Sequence, residues 1–309
     1  MIEIFEIDKE EFISLLNKNK ISIPLYSDVE AIDCYSDKEL IKVCKNNEPV
    51  LLFLAPIDNN GVRRKYRFFP YHSPIFLREE TNLKKKEILK ELFNYLFNKY
   101  DYTFLPLHPT FNVVSSIHSE GGLTEMRHTH VTNKKIGIDD VSSKMRNHIR
   151  NALKEVEVVI DNDYSNYEFT KAIKGKEEEV ELRSKLAKQL LDNKKAITVK
   201  AIHNNEVIAG LVISYDKEWA YLLHSYKDDS VRGTINLLIL KAIEYAFDNL
   251  NIKYFDFEGS VIDDIDNFFT SFNVDIITYP YIIEAKDEEK LISLINRSIN
   301  IEGRINRVR

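Results

Sequence analysis

A short apolar run in this chain ends in two acids: Tyr254-Phe255-Asp256-Phe257-Glu258-Gly259-Ser260. Residues two apart on a strand share a face, so Tyr254, Asp256 and Glu258 point together. Carboxylates at the end of an apolar strand cost free energy unless they are paired or used. Glu258 there can take a proton from an attacking amine. Gly259 would let a substrate or another backbone approach closely, and Ser260 can cap the next helix. The competing reading is an ion pair, with Asp256 and Glu258 neutralised by Arg146 or Arg150.

Upstream, His224-Ser225-Tyr226 closes another strand, with His224 and Tyr226 on one face. Ser225 points the other way, so it and His224 do not form a nucleophile pair. Arg146, Arg150 and Lys154, spaced by four, make one basic ridge. Such a ridge suits phosphates, or is simply a solvated helix face. The stretch Arg63-Arg64-Lys65-Tyr66-Arg67 interleaves charge with aromatics as a substrate groove or an exposed hairpin would. His128 and His130 share a strand face, but no third ligand follows at short spacing, so no metal site is expected. Cys34 and Cys44 have no CxxC spacing and read as free thiols.

Periodicity supplies the elements that must hold these residues. In the second half a helix capped by Ser142 or Ser143 runs to about Val156, and a new strand follows to Ile160. A second helix covers Glu177–Asn193. Strands Ala196–His203, Val207–Tyr215 and Trp219–Tyr226 come next, joined by short turns at Asn204-Asn205 and Asp216-Lys217, hence antiparallel neighbours. A helix at Thr234–Leu250 carries an apolar face of Ile235, Leu238, Ile239, Ala242, Ile243, Ala246 and Leu250. Strand Lys253–Phe257, a short helix Val261–Phe272, strand Asp275–Ile283 and a helical tail ending in the basic run Arg304–Arg309 complete it. The first half gives strand Pro49–Ile57, a turn at Asp58–Gly61, strand Val62–Phe69, helix Lys84–Tyr100, strand Tyr102–Leu107 and strand Leu123–Val131. Two similar α/β units in tandem are expected, residues 1–122 and 123–309, each a mixed, mostly antiparallel sheet flanked by helices.

With 44% apolar residues the chain can build real cores. A net charge of −6 excludes a dedicated duplex-DNA binder. The N-terminus lacks the apolar core of a signal peptide, and no stretch approaches the roughly 18 apolar residues of a membrane span. A cytoplasmic protein is expected.

The element order, with these residues on it, resembles the GNAT superfamily, and more narrowly the Fem-type peptidyltransferases and their FemAB-like relatives. The resemblance is carried by RHTHV and Ser142–Ile160, by Glu206–Ser260 and by Ile265–Val274, roughly a third of the chain. It implies two GNAT-like domains and transfer of an acyl or aminoacyl group to an amine, in cell-wall (peptidoglycan) or surface-glycan biosynthesis. The donor would be aminoacyl-tRNA or acyl-CoA, with no cofactor held tightly. It further implies that the His224 strand lies beside the reacting carbonyl, with His224 as a base and Tyr226 as proton donor to the leaving group. CoA-using relatives hold pyrophosphate on a glycine-rich loop before the long helix. The matching loop, Asp228–Ile235, has only Gly233, and Asp228 and Asp229 would repel a pyrophosphate. Arg232 remains to touch one phosphate. That favours aminoacyl-tRNA. The alternatives are an acyl-CoA-dependent amino-sugar N-acetyltransferase and a catalytically inactive binding protein.

Overall fold

A computed structural model describes residues 1–21, 23–29, 37–63, 71–163, 177–227, 230–258 and 263–299. By contacts, the described residues up to Arg127 and those from Thr278 onward form one unit, and those from His128 to Ile277 form a second.

The first unit holds β1 (Ile2–Glu6), α1 (Lys9–Asn19), β2 (Lys38–Lys45), β3 (Glu48–Asp58), β4 (Gly61–Arg63), β5 (Ile75–Phe76), α2 (Asn82–Lys99), β6 (Tyr102–Pro106) and α3 (Ser115–His118). Next in the chain comes β7 (Leu123–Thr132). The second unit continues with α4 (Ser143–Glu155), β8 (Glu157–Asp161), α5 (Glu177–Asp192), β9 (Ala196–His203), β10 (Glu206–Tyr215), β11 (Trp219–Lys227), α6 (Thr234–Asn249), β12 (Tyr254–Asp256) and α7 (Asp263–Thr270). The chain then forms β13 (Asp275–Ala285) and α8 (Glu288–Ile299).

Strand order in the first unit is β1-β2-β3-β4-β6-β13, and in the second β7-β12-β11-β10-β9-β8. The two repeat one device. Hairpins β2–β3 and β9–β10 each turn on an Asn-Asn pair with both φ positive, at Asn46-Asn47 and Asn204-Asn205. That is the backbone of the hairpin turn whose twist matches the strands, and asparagine tolerates it better than most residues. Each unit then carries a strand, a long helix and a parallel return: Gly61–Arg63 pairs with Tyr102–Phe104, and Trp219–Tyr221 with Tyr254–Asp256.

Helix α2 buries Ile88, Leu89, Leu92, Phe93, Leu96 and Phe97, the face its spacing dictates, against Val43, Leu51, Phe53 and Leu105. In the second unit α4 contributes Met145, Ile149 and Ala152, and α6 Leu238, Ala242, Ile243 and Ala246, to a core with Val199, Leu211, Ile213, Ala220 and Phe255. At roughly 1.5–3 kcal/mol per fully buried large aliphatic side chain, this packing fixes the α6 axis over the sheet. The Ser142 hydroxyl caps α4 by accepting from the Met145 amide at 3.4 Å.

Two expectations change. A single cut after residue 122 does not describe the grouping. β13 returns to pair with β6, Tyr281↔Pro106 through Ala285↔Tyr102, and the Lys286 ammonium donates to the Asn98 carbonyl at 2.7 Å, so the C-terminal segment belongs with the first unit. The first 45 residues also carry β1, α1 and β2, which were not read from the sequence. The strand expected over Val62–Phe69 is described only to Arg63, and the basic tail lies outside the described residues.

Candidate functional site

β11 and β12 run parallel for three residues a side, ending at Tyr221↔Asp256, while β11 continues to Lys227. β11 also carries an extra residue. His224 opposes Val212 and Leu222 opposes Ile213, which leaves Leu223 as a bulge. A bulge bends and twists its strand and re-aims the side chains beyond it. By register Tyr221, His224 and Tyr226 share one face with Asp256, opposite the face packed by α4 and α6. His224 and Tyr226 are half-buried.

Asp256 is fully buried. Its Oδ1 accepts the Thr129 hydroxyl at 2.5 Å and the Glu258 amide at 2.7 Å. Buried acids are tolerated when donors surround them, and two donors on one oxygen meet much of that demand. Glu258 leaves the strand in the left-handed region, φ 62°. Among the described residues ten non-glycines have positive φ; seven are asparagine, two are lysine, and Glu258 is the tenth. Holding a glutamate there costs free energy, and such strain concentrates at functional sites.

The arginine ridge lies beside the loop that leads into α4. Arg146 Nη2 donates to the Asp139 carbonyl at 3.0 Å and to the Val141 carbonyl at 3.4 Å. Arg146 and Arg150 each stand 3.6 Å from the Asp139 carboxylate. The competing reading, an ion pair with Asp256 or Glu258, gives way to this local one, because the loop before α4 brings Asp139 back onto the helix.

Gly233 is the residue before α6, φ 93°, with no side-chain cap. A Cβ there would overlap the His148 carbonyl oxygen and stand 2.6 Å from its carbon. The glycine therefore lets α6 lie against the α4 backbone. Burial first, then Arg232 and Lys144, hold the His148 imidazole below its ordinary pKa. Helix N-termini with cations beside them attract phosphate. Ser260, Gly259, Asp228 and Asp229 lie outside the described residues.

Sequence reasoning passed over Asp266 on α7. His128 Nε2 lies 2.9 Å from its Oδ1, and the buried His130 Nε2 lies 3.1 Å from the Thr270 hydroxyl. Asp266 is 138 residues from His128, and the only local signal was the acid-rich start of α7. Among the described residues no three His, Cys, Asp or Glu side chains are arranged to hold a metal ion. A cavity of about 360 Å³ in this unit is lined by Ile136, Ile138, Ile149, Leu153 and Leu237 among others, and by none of the candidate residues. No helix among the described residues is long and apolar enough to cross a membrane.

No protein-family model matches the sequence, and no curated protein matches it. Solved structures do. FemX matches with a TM-score of 0.61 at 12% identity over 90% of this chain and 96% of FemX. L-PGS from Bacillus licheniformis matches at 0.58 and 11% identity, over 94% of this chain and 97% of that one. A tandem GNAT protein from the clavulanic acid biosynthesis pathway matches at 0.51 and 9% identity, over 92% and 98%. The chain shares the fold of FemX and of the tandem GNAT protein, a mixed α/β architecture.

Proposed function

We propose that this chain is an N-acyltransferase that moves an acyl or aminoacyl group from an activated donor to an amine, with its chemistry in the second unit. The observation that carries this is the face shared by Tyr221, His224, Tyr226 and Asp256. Among the described residues β11 and β12 pair from Trp219↔Tyr254 to Tyr221↔Asp256, and the bulge at Leu223 re-aims the β11 side chains after it. The tandem fold shared with FemX and L-PGS supports the same class of chemistry.

In this reading Glu258 takes a proton from the amine as its nitrogen attacks the acyl carbonyl. Asp256 holds the Glu258 peptide, Tyr226 gives a proton to the leaving group, and His224 stands beside it on the same face. Arg232, next to Gly233 at the start of α6, meets donor phosphate. Aminoacyl-tRNA is favoured over acyl-CoA because the loop before α6 has one glycine, Gly233, and its Cα side is taken up by the His148 carbonyl. The acceptor is an amine on a glycan or a peptide.

Calorimetry with acetyl-CoA, desulfo-CoA and an aminoacyl-tRNA tests the donor. Salt-dependent binding of the tRNA and none of acetyl-CoA is expected. A micromolar constant for acetyl-CoA would replace this reading by amino-sugar N-acetylation. Failure of both to bind folded protein would leave a catalytically inactive binding protein.

A further inference from the structure

The first unit contains its own version of the Glu258 position. His108 lies as far past Lys99, the last residue of α2, as Glu258 lies past Asn249, the last residue of α6. The ladder to the outer neighbour agrees. Pro106 pairs with Tyr281, and Asp256 with Val131. One residue on, the Leu107 amide donates to the Pro280 carbonyl and the Phe257 amide to the His130 carbonyl, each at 2.9 Å. In the sequence, Leu105-Pro106-Leu107-His108-Pro109-Thr110 therefore stands position by position against Phe255-Asp256-Phe257-Glu258-Gly259-Ser260.

The backbone differs between the two places. The Glu258 amide turns back to the Asp256 carboxylate at 2.7 Å. In the first unit the chain's own residues 71–73 run alongside the end of β6 instead. The His72 amide donates to the Pro106 carbonyl at 2.9 Å, and the His108 amide to the His72 carbonyl at 3.0 Å, a parallel pairing around Leu107. Leu107 is itself bonded to Pro280 on the other side. Both edges of this end of β6 are thus used, and an extended ligand cannot add to either as a new strand would. Ser27 pins the segment. Its hydroxyl donates to the Ser73 carbonyl and accepts the Ser73 amide, both at 3.2 Å. Tyr71, His72 and Ser73 are buried.

The side chain differs too. His108 is buried, with its ring edge-on to Tyr71 at 5.3 Å between centroids. Its Nδ1 accepts the Thr110 amide at 3.3 Å and lies 2.8 Å from the Thr110 hydroxyl. A backbone amide can only donate, so Nδ1 carries the lone pair and the ring is neutral. Burial pushes its pKa down to about 3. A base that weak does not take a proton from an amine near neutral pH, which is the work given above to Glu258.

We propose that the first unit carries a closed version of the transfer site, shut by the chain's own residues 71–73, and that each chain therefore takes one donor, in its second unit. The inference rests on the acyltransfer reading of the second unit. Repetition of the fold makes two places where a strand emerges after a long helix. Glu258 gives the second a carboxylate; the first has a buried neutral imidazole and a strand of its own chain.

Hydrogen exchange tests the closure without substrate. The His72 and His108 amides should exchange as slowly as the Leu107 amide. Either one exchanging many-fold faster overturns the closure and leaves the acyltransfer reading standing. Calorimetry with aminoacyl-tRNA and with acetyl-CoA tests the count. A donor that binds should do so at one equivalent per chain and leave exchange at His72 and His108 unaltered. Two equivalents, or a single one that alters those two amides, overturns the proposal. His108→Gln should bind the same single equivalent with unchanged affinity. A loss of about tenfold or more, in a variant whose circular dichroism is unaltered, also overturns it. Failure of both donors to bind overturns the acyltransfer reading, and the donor count with it.

Discussion

Gly233→Ala separates the two uses a glycine can have before a long helix. At φ 93° an alanine pays for a conformation that L-residues avoid, about 1–2 kcal/mol. Its methyl also meets backbone: the carbonyl carbon of His148 at 2.6 Å and its Cβ at 2.9 Å, neither of which is the free end of a flexible side chain. Moving α6 or α4 to make room disturbs a packed core and adds about 1–3 kcal/mol. The total is about 2–5 kcal/mol. Gly121 provides the control, since its φ is 86° but nothing lies within 4 Å of an added methyl, so Gly121→Ala bears only the conformational cost. Trp219 is the chain's one tryptophan, is buried on β11, and reports unfolding of the second unit by fluorescence. Urea titrations, followed at Trp219 for Gly233→Ala and by far-ultraviolet circular dichroism for Gly121→Ala in the first unit, should show the larger loss for Gly233→Ala. In thermal scans, at roughly 2–4 °C per kcal/mol for a domain of 150–250 residues, the midpoint should fall by about 4–20 °C. Losses of equal size for the two variants would refute the packing argument. So would an undestabilised Gly233→Ala protein that has lost donor binding, because that is the behaviour of a phosphate-loop glycine.

Other expectations follow from the same geometry. Asp256→Ala strips an acceptor from the Thr129 hydroxyl and the Glu258 amide and should cost about 1–3 kcal/mol, with Thr129→Val costing less, as urea titration at Trp219 would record. Glu258→Gly should leave stability unchanged or raise it by up to about 1 kcal/mol, since glycine accepts positive φ freely, whereas a glutamate in ordinary extended backbone would lose about 0.5–1. In a transfer assay Glu258→Gln should cost about 10²–10⁴ in turnover while the fold is kept. Arg150→Gln should change stability by under about 0.5 kcal/mol, and Arg146→Gln by more, because only Arg146 also ties down the carbonyls of Asp139 and Val141. Burial of His108 in the first unit depresses its pKa from 6.5 to about 3. Between those values the unfolded chain binds a proton that the folded one does not, so this group's contribution falls as pH drops through the window, by about 1.4 kcal/mol per pH unit. His108→Gln should flatten the acid limb of a stability-versus-pH curve by that one proton.

Local physics was legible in the residues. Spacing placed α2, α4 and α6 and their buried faces, a serine before Met145 marked the α4 cap, and Asn204-Asn205 marked the turn between β9 and β10. Each depends on neighbours within a few positions. The matching Asn46-Asn47 turn was equally readable and would have revealed β2, and Asp8 ahead of Phe12 and Leu16 would have revealed α1, whose first turn it caps at 2.8 Å from the Glu11 amide. The repeat of strand, helix and strand, and so the tandem architecture, lay in the sequence. Tertiary structure decided the rest, because it joins residues whose separation carries no signal. It gave Arg146 and Arg150 to Asp139 rather than to Asp256, and it gave Asp256 to Thr129. It filled the face of Gly233 with the His148 carbonyl, returned β13 to β6, and brought Asp266 to His128. Alternation along β7 says only that His128 and His130 share a face; which carboxylate meets them depends on how α7 packs after β12, a choice made by Phe257, Phe269 and Phe272 burying one another rather than by any spacing in the chain.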